Sequence, residues 1–154
     1  MAIRNIRREG DEVLYKISKP VKEMNDKTLT LIEDMLDTMY EACGVGLAAP
    51  QVGILKRIVV IDVSENGDDP IIMINPVILE SNGEQTGNEG CLSVPGKAGV
   101  VTRANYVRVK AQDENMEWYE FEATELLARA VQHELDHLDG ILYTSKVQGD
   151  LIES

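Results

Sequence analysis

An α+β fold is predicted by the order of the elements along the chain. Strand-like segments fill the middle of the 154-residue sequence, and two long amphipathic segments lie towards its ends. Strands do not alternate with helices, as the crossover units of a parallel sheet would require. The length is that of one ordinary domain, and no repeat or linker divides it. Residues 1–154 are therefore expected to form a single domain.

The composition excludes several classes of function. The chain has 27 acidic and 15 basic residues, and its formal net charge is −12. This charge argues against direct binding of nucleic acid, because neutralising phosphates requires clustered Lys and Arg. No apolar run has the length of a membrane-spanning helix, and the N-terminal residues lack the apolar core of a secretory signal. With two cysteines as well, the chain is expected in the reducing cytoplasm, away from membranes.

The first element is a helix predicted over residues 26–42. Its apolar residues recur at helical spacing, namely Leu29, Ile32, Met35, Leu36 and Met39. The opposite, solvent-facing side is expected to hold Glu33, Asp34 and Asp37. Thr30 and Glu33 resemble a capping box, although Asp26 could cap the helix earlier. Residues 44–53, rich in Gly, Ala and Pro, are expected to be irregular.

Strands are predicted over residues 57–63, 70–79, 105–111 and 117–122. Pro76 limits the second of them to an edge, a bend or a break, because proline cannot donate a backbone hydrogen bond. The polar, turn-rich segments 65–69 and 81–88 are expected to be loops. Asn115 fits a turn, so the last two strands should pair as a hairpin.

A second helix, predicted over residues 123–139, carries an H-E-x-x-H sequence from His133 to His137. Positions i and i+4 of a helix face the same way, so both imidazoles can bind one cation. Glu134 projects about 100° around the axis, where it can act as a general base without binding the metal. Asp136 could accept a hydrogen bond from an imidazole or face solvent. Gly140 suits the end of the helix.

A third protein ligand is expected, because catalytic metal sites usually have three ligands and one open position. In a small metalloprotease the third ligand would come from residues after His137. However, Asp139 points away from the two histidines, and Asp150 and Glu153 lie in a polar tail. Cys91 is the better candidate, since a thiolate near two histidines binds divalent metals strongly. A non-catalytic metal-binding protein is the alternative of a different class.

Three segments together resemble the peptide deformylases, which are metallohydrolases that remove the formyl group from N-formylmethionyl chains. These segments are GVGLAAPQ at 44–51, EGCLS at 89–93 and QHELDHL at 132–138. The resemblance extends over about residues 6–143 and includes a strand region at 102–109. It implies small antiparallel or mixed sheets around a central metal-binding helix, with a second helix near the N-terminus. Gly44-x-Gly46-x-x-Ala49 also matches a dinucleotide-binding pattern, but Pro50 and the preceding helix do not fit that fold.

The resemblance also implies roles for individual residues. Cys91, His133 and His137 would be the metal ligands, with Fe²⁺ in the cell and Zn²⁺, Ni²⁺ or Co²⁺ as substitutes. A metal-activated water would attack the formyl carbon and release formate, with Glu134 as general base and acid. The Gln51 amide and the Leu92 backbone N–H would stabilise the oxyanion. A protein that only binds formyl peptides on this fold is the alternative.

The substrate peptide is expected to lie extended along a strand edge. Candidate contacts are Val45, Gly46, Gly90, Arg103, Leu126 and Arg129. For Arg103 a structural ion pair is an equal alternative, and for Arg129 an exposed position on the helix. Cys43 is expected to be a packed small residue, with a second reactive thiol as the alternative. Some family members have a basic C-terminal helix, whereas residues 149–154 here are acidic, so docking on the ribosome through this tail is not expected.

Overall fold

The computed structural model describes residues 2–153, and within them two α-helices accompany two antiparallel sheets, which confirms the α+β class. The helices are α1 (Asp26–Glu41) and α2 (Glu125–Leu138). The strands are β1 (Gly46–Ala48), β2 (Ile58–Ile61), β3 (Ile71–Asn82), β4 (Gln85–Cys91), β5 (Val94–Arg103), β6 (Tyr106–Gln112), β7 (Trp118–Thr124) and β8 (Gln148–Glu153). Short 3-10 helices cover Glu12–Tyr15, Ala49–Val52 and Tyr143–Lys146.

The larger sheet has the strand order β1-β2-β3-β6-β7, and the smaller one has the order β4-β5-β8. Strands β6 and β7 pair without a register shift, so the predicted hairpin is confirmed. β3 lies in the interior of the larger sheet, and its pairing with β6 shifts register between Ile74 and Val77. Pro76 lies within this shift, because its missing N–H is tolerated where the ladder is interrupted.

Several strands differ from the sequence-based expectation. Residues 44–53 contain β1 and a 3-10 helix, because three small or apolar residues pair with β2, beginning with Gly46 opposite Ile61. β4 begins within the expected loop 81–88, and β5 and β8 were not predicted. Every residue of β8 is exposed, so no alternation of buried and exposed residues marks this strand in the sequence. It is held in place by pairing with β5. Long-range pairing of this kind leaves no local signal.

Helix α1 is confirmed, but two details of it were wrong. Its cap is Asn25, whose side-chain oxygen accepts a hydrogen bond from the Thr28 N–H at 2.8 Å. Asp34 does not face solvent: only 3% of it is exposed, and it accepts a 2.9 Å hydrogen bond from Arg4 Nε. The N-terminal segment therefore covers a helix face that periodicity alone assigned to solvent.

The larger sheet is covered on both faces at strand β2. Val59 and Ile61 pack with α2 in one apolar cluster, and Ile58 and Val60 pack with α1 in another. Helix α2 also contacts the smaller sheet through a hydrogen bond to β4, so it lies between the two sheets. Gly140, just after α2, has φ +76°, the left-handed conformation expected at a helix end. Neither α-helix within residues 2–153 is long and apolar enough to span a bilayer.

Candidate metal centre and active site

Three side chains from two elements meet at the centre of the fold. His133 and His137 lie one turn apart on α2, with ring centroids 5.0 Å apart. Cys91, the last residue of β4, places its Sγ 3.3 Å from His137 Nε2. The ligand atoms of the three residues all lie within 4.8 Å of one another. The structure thus brings together the three residues that the sequence assigned to one metal.

The chemistry of this cluster fits a divalent transition metal. One sulfur and two imidazole nitrogens are a ligand set typical of Zn²⁺ and related ions. Burial is the main cause that lowers the pKa of His137 to about 3, so this imidazole is neutral and able to coordinate. His133 uses Nδ1 in a 2.6 Å contact with Glu89 Oε2, which leaves its Nε2 for a cation.

Glu89 is central to the site, although no role was predicted for it from the sequence. Its buried carboxylate contacts His133 and also accepts hydrogen bonds from Arg103 Nη2 at 2.6 Å and Arg129 Nη1 at 2.8 Å. Burial alone would raise the pKa of Glu89, but Arg103 and His133 hold it well below its usual value. Glu89 and Cys91 are two residues apart on β4, so they share a face, and this spacing was the available signal.

We expect Glu89→Gln to destabilise the protein by about 3 kcal/mol, because buried Arg129 loses its counter-charge and buried Arg103 keeps only that of Asp136. Metal affinity should fall about 10- to 100-fold, because the neutral side chain of the glutamine would orient His133 less firmly than the carboxylate does. Urea unfolding and chelator competition measure these effects. Glu80→Gln is the control, because its 3.5 Å ion pair with Arg108 lies at the surface.

The destabilisation caused by Glu89→Gln should depend on pH. The pKa of Glu89 is depressed in the folded state, so its charge stabilises the fold above the ordinary value of 4.5. That contribution is lost as the pH falls from 4.5 towards the depressed value. The difference in unfolding free energy between wild type and variant should therefore shrink in acid, and a difference that is constant from pH 7 to pH 3 would contradict this account.

Arg103 is a structural residue in this arrangement. Its guanidinium is buried, donates to both oxygens of Glu89, and donates from Nη1 to Asp136 Oδ2 at 3.0 Å. The ion-pair alternative therefore describes Arg103, because its charged end pairs with the carboxylates of Glu89 and Asp136. Its contact with substrate stays a prediction. Asp136 pairs with Arg103 and with Lys146 at 3.4 Å, so of the two alternatives for Asp136 the hydrogen bond from an imidazole does not apply.

Gln51 is held with its amide nitrogen towards the metal ligands. Its Oε1 accepts a hydrogen bond from the Ala48 N–H at 3.0 Å, which fixes the orientation of the amide. Its Nε2 donates to Ser93 Oγ at 3.0 Å and lies 3.5 Å from Cys91 Sγ. Leu92 follows Cys91 directly, between β4 and β5. Ser93, which the sequence did not single out, completes this positioning of Gln51.

Glu134 is buried beside the ligand cluster, with its Oε2 4.0 Å from His133 Nε2. Its Oε1 has no hydrogen-bond partner among the residues that the structure describes. Burial is the main cause that raises the pKa of Glu134 to about 7. A carboxyl group with such a pKa can both accept and donate a proton near neutral pH. A Cβ at Gly46 would lie 2.5 Å from Glu134 Oε2, so any larger residue there would displace this carboxyl group.

A cleft of about 450 Å³ opens from the ligand cluster to solvent. Its lining contains Cys91, His133 and Glu134 together with Gln51 and Leu92. Its walls are formed by two backbone segments, 43–46 and 94–97, and by Gly90. Exposed Cys43 lies on the rim, so the expectation that it is packed was wrong. Residues 95–97 of β5 are exposed where they line the cleft, as binding of an extended peptide along a strand requires.

A smaller cavity of about 130 Å³ adjoins the cleft and shares Val45, Gly90, His133 and Glu134 with it. Leu126 and Ala130 add apolar surface. The guanidinium of Arg129 is pinned by Glu89, by Gln85 Oε1 at 3.1 Å and by the Val101 carbonyl at 3.0 Å. Arg129 is thus buried and lines the cavity, and the exposed-arginine alternative is excluded.

Comparison with known proteins agrees with this geometry. The model of the polypeptide deformylase family matches residues 3–151. A peptide deformylase of Lachnoclostridium phytofermentans is 65% identical over 153 residues, covering 99% of this chain and 94% of that protein. A peptide deformylase of Agathobacter rectalis is 67% identical over 151 residues, covering 98% and 94%.

Solved structures show the same similarity in three dimensions. The peptide deformylase of Legionella pneumophila superposes with a TM-score of 0.91 at 47% identity, covering 95% of this chain and 86% of that one. The enzyme of Thermotoga maritima gives 0.91 at 42% identity, covering 96% and 99%. Because sequence and backbone agree over nearly the whole length of the chain, it belongs to the polypeptide deformylase family.

Proposed function

We propose that this chain removes the formyl group from N-formylmethionyl peptides by metal-dependent hydrolysis. The observation that carries the proposal is the cluster of Cys91, His133 and His137 beside the buried carboxyl group of Glu134, at the inner end of an open cleft. A protein that only binds formyl peptides would not need a proton donor and acceptor, whereas the elevated pKa of Glu134 suits this residue to proton transfer.

A divalent cation held by Cys91, His133 and His137 would supply the Lewis acidity that makes water nucleophilic near neutral pH. We propose Fe²⁺ as the ion in the cell, with Zn²⁺, Ni²⁺ and Co²⁺ as substitutes. Nitrogen and sulfur ligands do not by themselves select among these ions. A thiolate ligand needs reducing conditions, which supports the cytoplasm as the compartment.

The side chains around the cluster would carry the proton and hold the developing charge. Glu134 would take a proton from the attacking water at its carboxylate and pass it to the departing amine. Gln51 Nε2 and the Leu92 N–H would donate to the formyl oxygen as it becomes negative. The hydrogen bond from Ala48 to Gln51 Oε1 supports this role, because it prevents the amide from turning its oxygen towards that charge.

The two cavities would divide the substrate between them. The methionine side chain would enter the smaller cavity, between Leu126 and the stem of Arg129. The peptide backbone would lie in the cleft, along Val45 and Gly46 on one side and Gly90 on the other. Docking on the ribosome through the C-terminal residues is not part of this proposal, since β8 carries the acidic residues Asp150 and Glu153.

The test is release of formate from a formyl-Met-Ala-Ser peptide by protein that was purified without oxygen. Release should stop when a chelator removes the metal and return when Fe²⁺ or Ni²⁺ is added. The acetyl-Met-Ala-Ser peptide is the control for recognition of the small formyl group. Metal-independent release, or no release, would overturn the proposal, and cleavage between the amino acids would instead indicate a metalloprotease.

A further inference from the structure

Lys97 is the basic residue of the cleft wall. Within the described part of the chain, no other Lys or Arg lines the 450 Å³ cleft. The residues that surround it on the rim are uncharged, namely Cys43, Gly44, Val45, Pro95 and Gly96. In a chain with a net charge of −12, this places a single basic side chain among the described residues that line the cleft proposed for the substrate.

The pairing of β4 with β5 places Lys97 next to Gly90. Cys91 pairs with Val94 and Glu89 pairs with Gly99, so residues 95–98 bulge opposite Gly90. A Cβ built on Gly90 would lie 3.4 Å from the Lys97 carbonyl oxygen. Gly90 is also where the substrate backbone is proposed to bind. Because Lys97 lines the same cleft, substrate residues that follow the formylmethionine would pass within reach of its side chain.

The Lys97 ammonium group already has a partner from the end of the chain. Its Nζ lies 3.0 Å from Glu153 Oε1, across the register that pairs β5 with β8. The two side chains are 45% and 87% exposed. Ion pairs with this exposure contribute little stability, because water and salt screen them. A carboxylate arriving in the cleft could therefore replace Glu153 as the partner of Lys97.

We propose that Lys97 determines specificity for the residues downstream of formylmethionine, favouring acidic side chains, and that Glu153 competes with the substrate for it. The proposal rests on the deformylase function proposed above, and it names the substrate class as formylmethionyl peptides with a nearby Asp or Glu. In an extended peptide successive side chains point to opposite sides. The preference should thus be strongest at one downstream position and weak at its immediate neighbours.

The experiment measures kcat/KM for formate release from amidated formylmethionyl peptides. Each peptide carries Asp, Asn or Lys at the second, third or fourth position, and the other positions are alanine. At one position we expect Asp to exceed Asn by about two- to fivefold, the effect of one exposed ion pair. The ratio should approach one in 1 M salt. Equal rates for Asp, Asn and Lys at every position would overturn the proposal while leaving the deformylase function intact.

Three variants distinguish a contact with Lys97 from a general effect of charge. Lys97→Met should bring the Asp to Asn ratio to about one, and Glu153→Gln should raise it above the wild-type ratio. Lys110→Met removes a lysine whose Nζ lies over the Trp118 ring, at 4.9 Å, away from the cleft, and should preserve the ratio. A ratio that survives Lys97→Met, or that falls equally in Lys110→Met, would contradict the assignment. Absence of formate release from all peptides would instead refute the proposed function.

Discussion

Replacing Glu134 with Gln is expected to lower kcat for formate release by about 10²–10⁴-fold, the usual contribution of a positioned general base and acid. Glutamine has nearly the same shape, but it cannot accept a proton from water and return it to the amine. The surroundings should tolerate the change, because Glu134 Oε1 makes no hydrogen bond among the residues that the structure describes. Steady-state assays on formyl-Met-Ala-Ser measure the loss.

The metal content of Glu134→Gln distinguishes loss of proton transfer from loss of the metal as the cause of its low activity. Glu134 is not one of the three clustered ligands, so the variant should keep the wild-type amount of metal. Glu33→Gln, at an exposed position on α1, is the matched control and should retain full activity. If Glu134→Gln released formate at the wild-type rate with metal bound, the proton-transfer role would be refuted.

Replacing Cys91 with Ala is expected to abolish activity by loss of the metal. The site would keep only two protein ligands, fewer than the three of typical catalytic sites. Loss of a residue that merely orients a ligand costs about 10- to 100-fold in affinity. Loss of the thiolate itself should cost more, so the purified variant should contain little metal by elemental analysis.

The second cysteine provides a control in the same chain. Cys43 is exposed on the rim of the cleft, outside the ligand cluster. Cys43→Ala should therefore retain the metal at the wild-type level. If both alanine variants kept their metal, the assignment of Cys91 as a ligand would be wrong. If both lost it, a general effect of thiol removal would be indicated.

The H-E-x-x-H motif could be interpreted from sequence because its geometry is local. The helical repeat alone puts His133 and His137 on one face, and the structure places their rings 5.0 Å apart. The two long helices and the β6–β7 hairpin were predictable for the same reason, since their periodicity lies within short stretches of chain. β8 had no such signal, because its order comes from pairing with β5.

The residues that support the metal ligands could not be found in this way. Glu89, Arg103 and Arg129 come from β4, β5 and α2, and their buried charges meet only when these elements pack together. The sequence left two alternatives each for Arg103 and Arg129, a contact with substrate or a purely structural position. The partner of a charged side chain depends on which other elements pack against it in the fold. Asp34 of α1 was assigned to solvent for the same reason, since Arg4 covers it.

By itself, the sequence determined the helices, most of the larger sheet, the His133–Glu134–His137 arrangement and, through three short motifs, the family. All of these depend on residues close together in the chain, where backbone periodicity sets which side chains share a face. The tertiary structure alone decided that Glu89 joins His133 to two arginines, that a small cavity adjoins the cleft, and that Lys97 faces Glu153. These features depend on contacts between distant segments, which fixed-spacing patterns do not record.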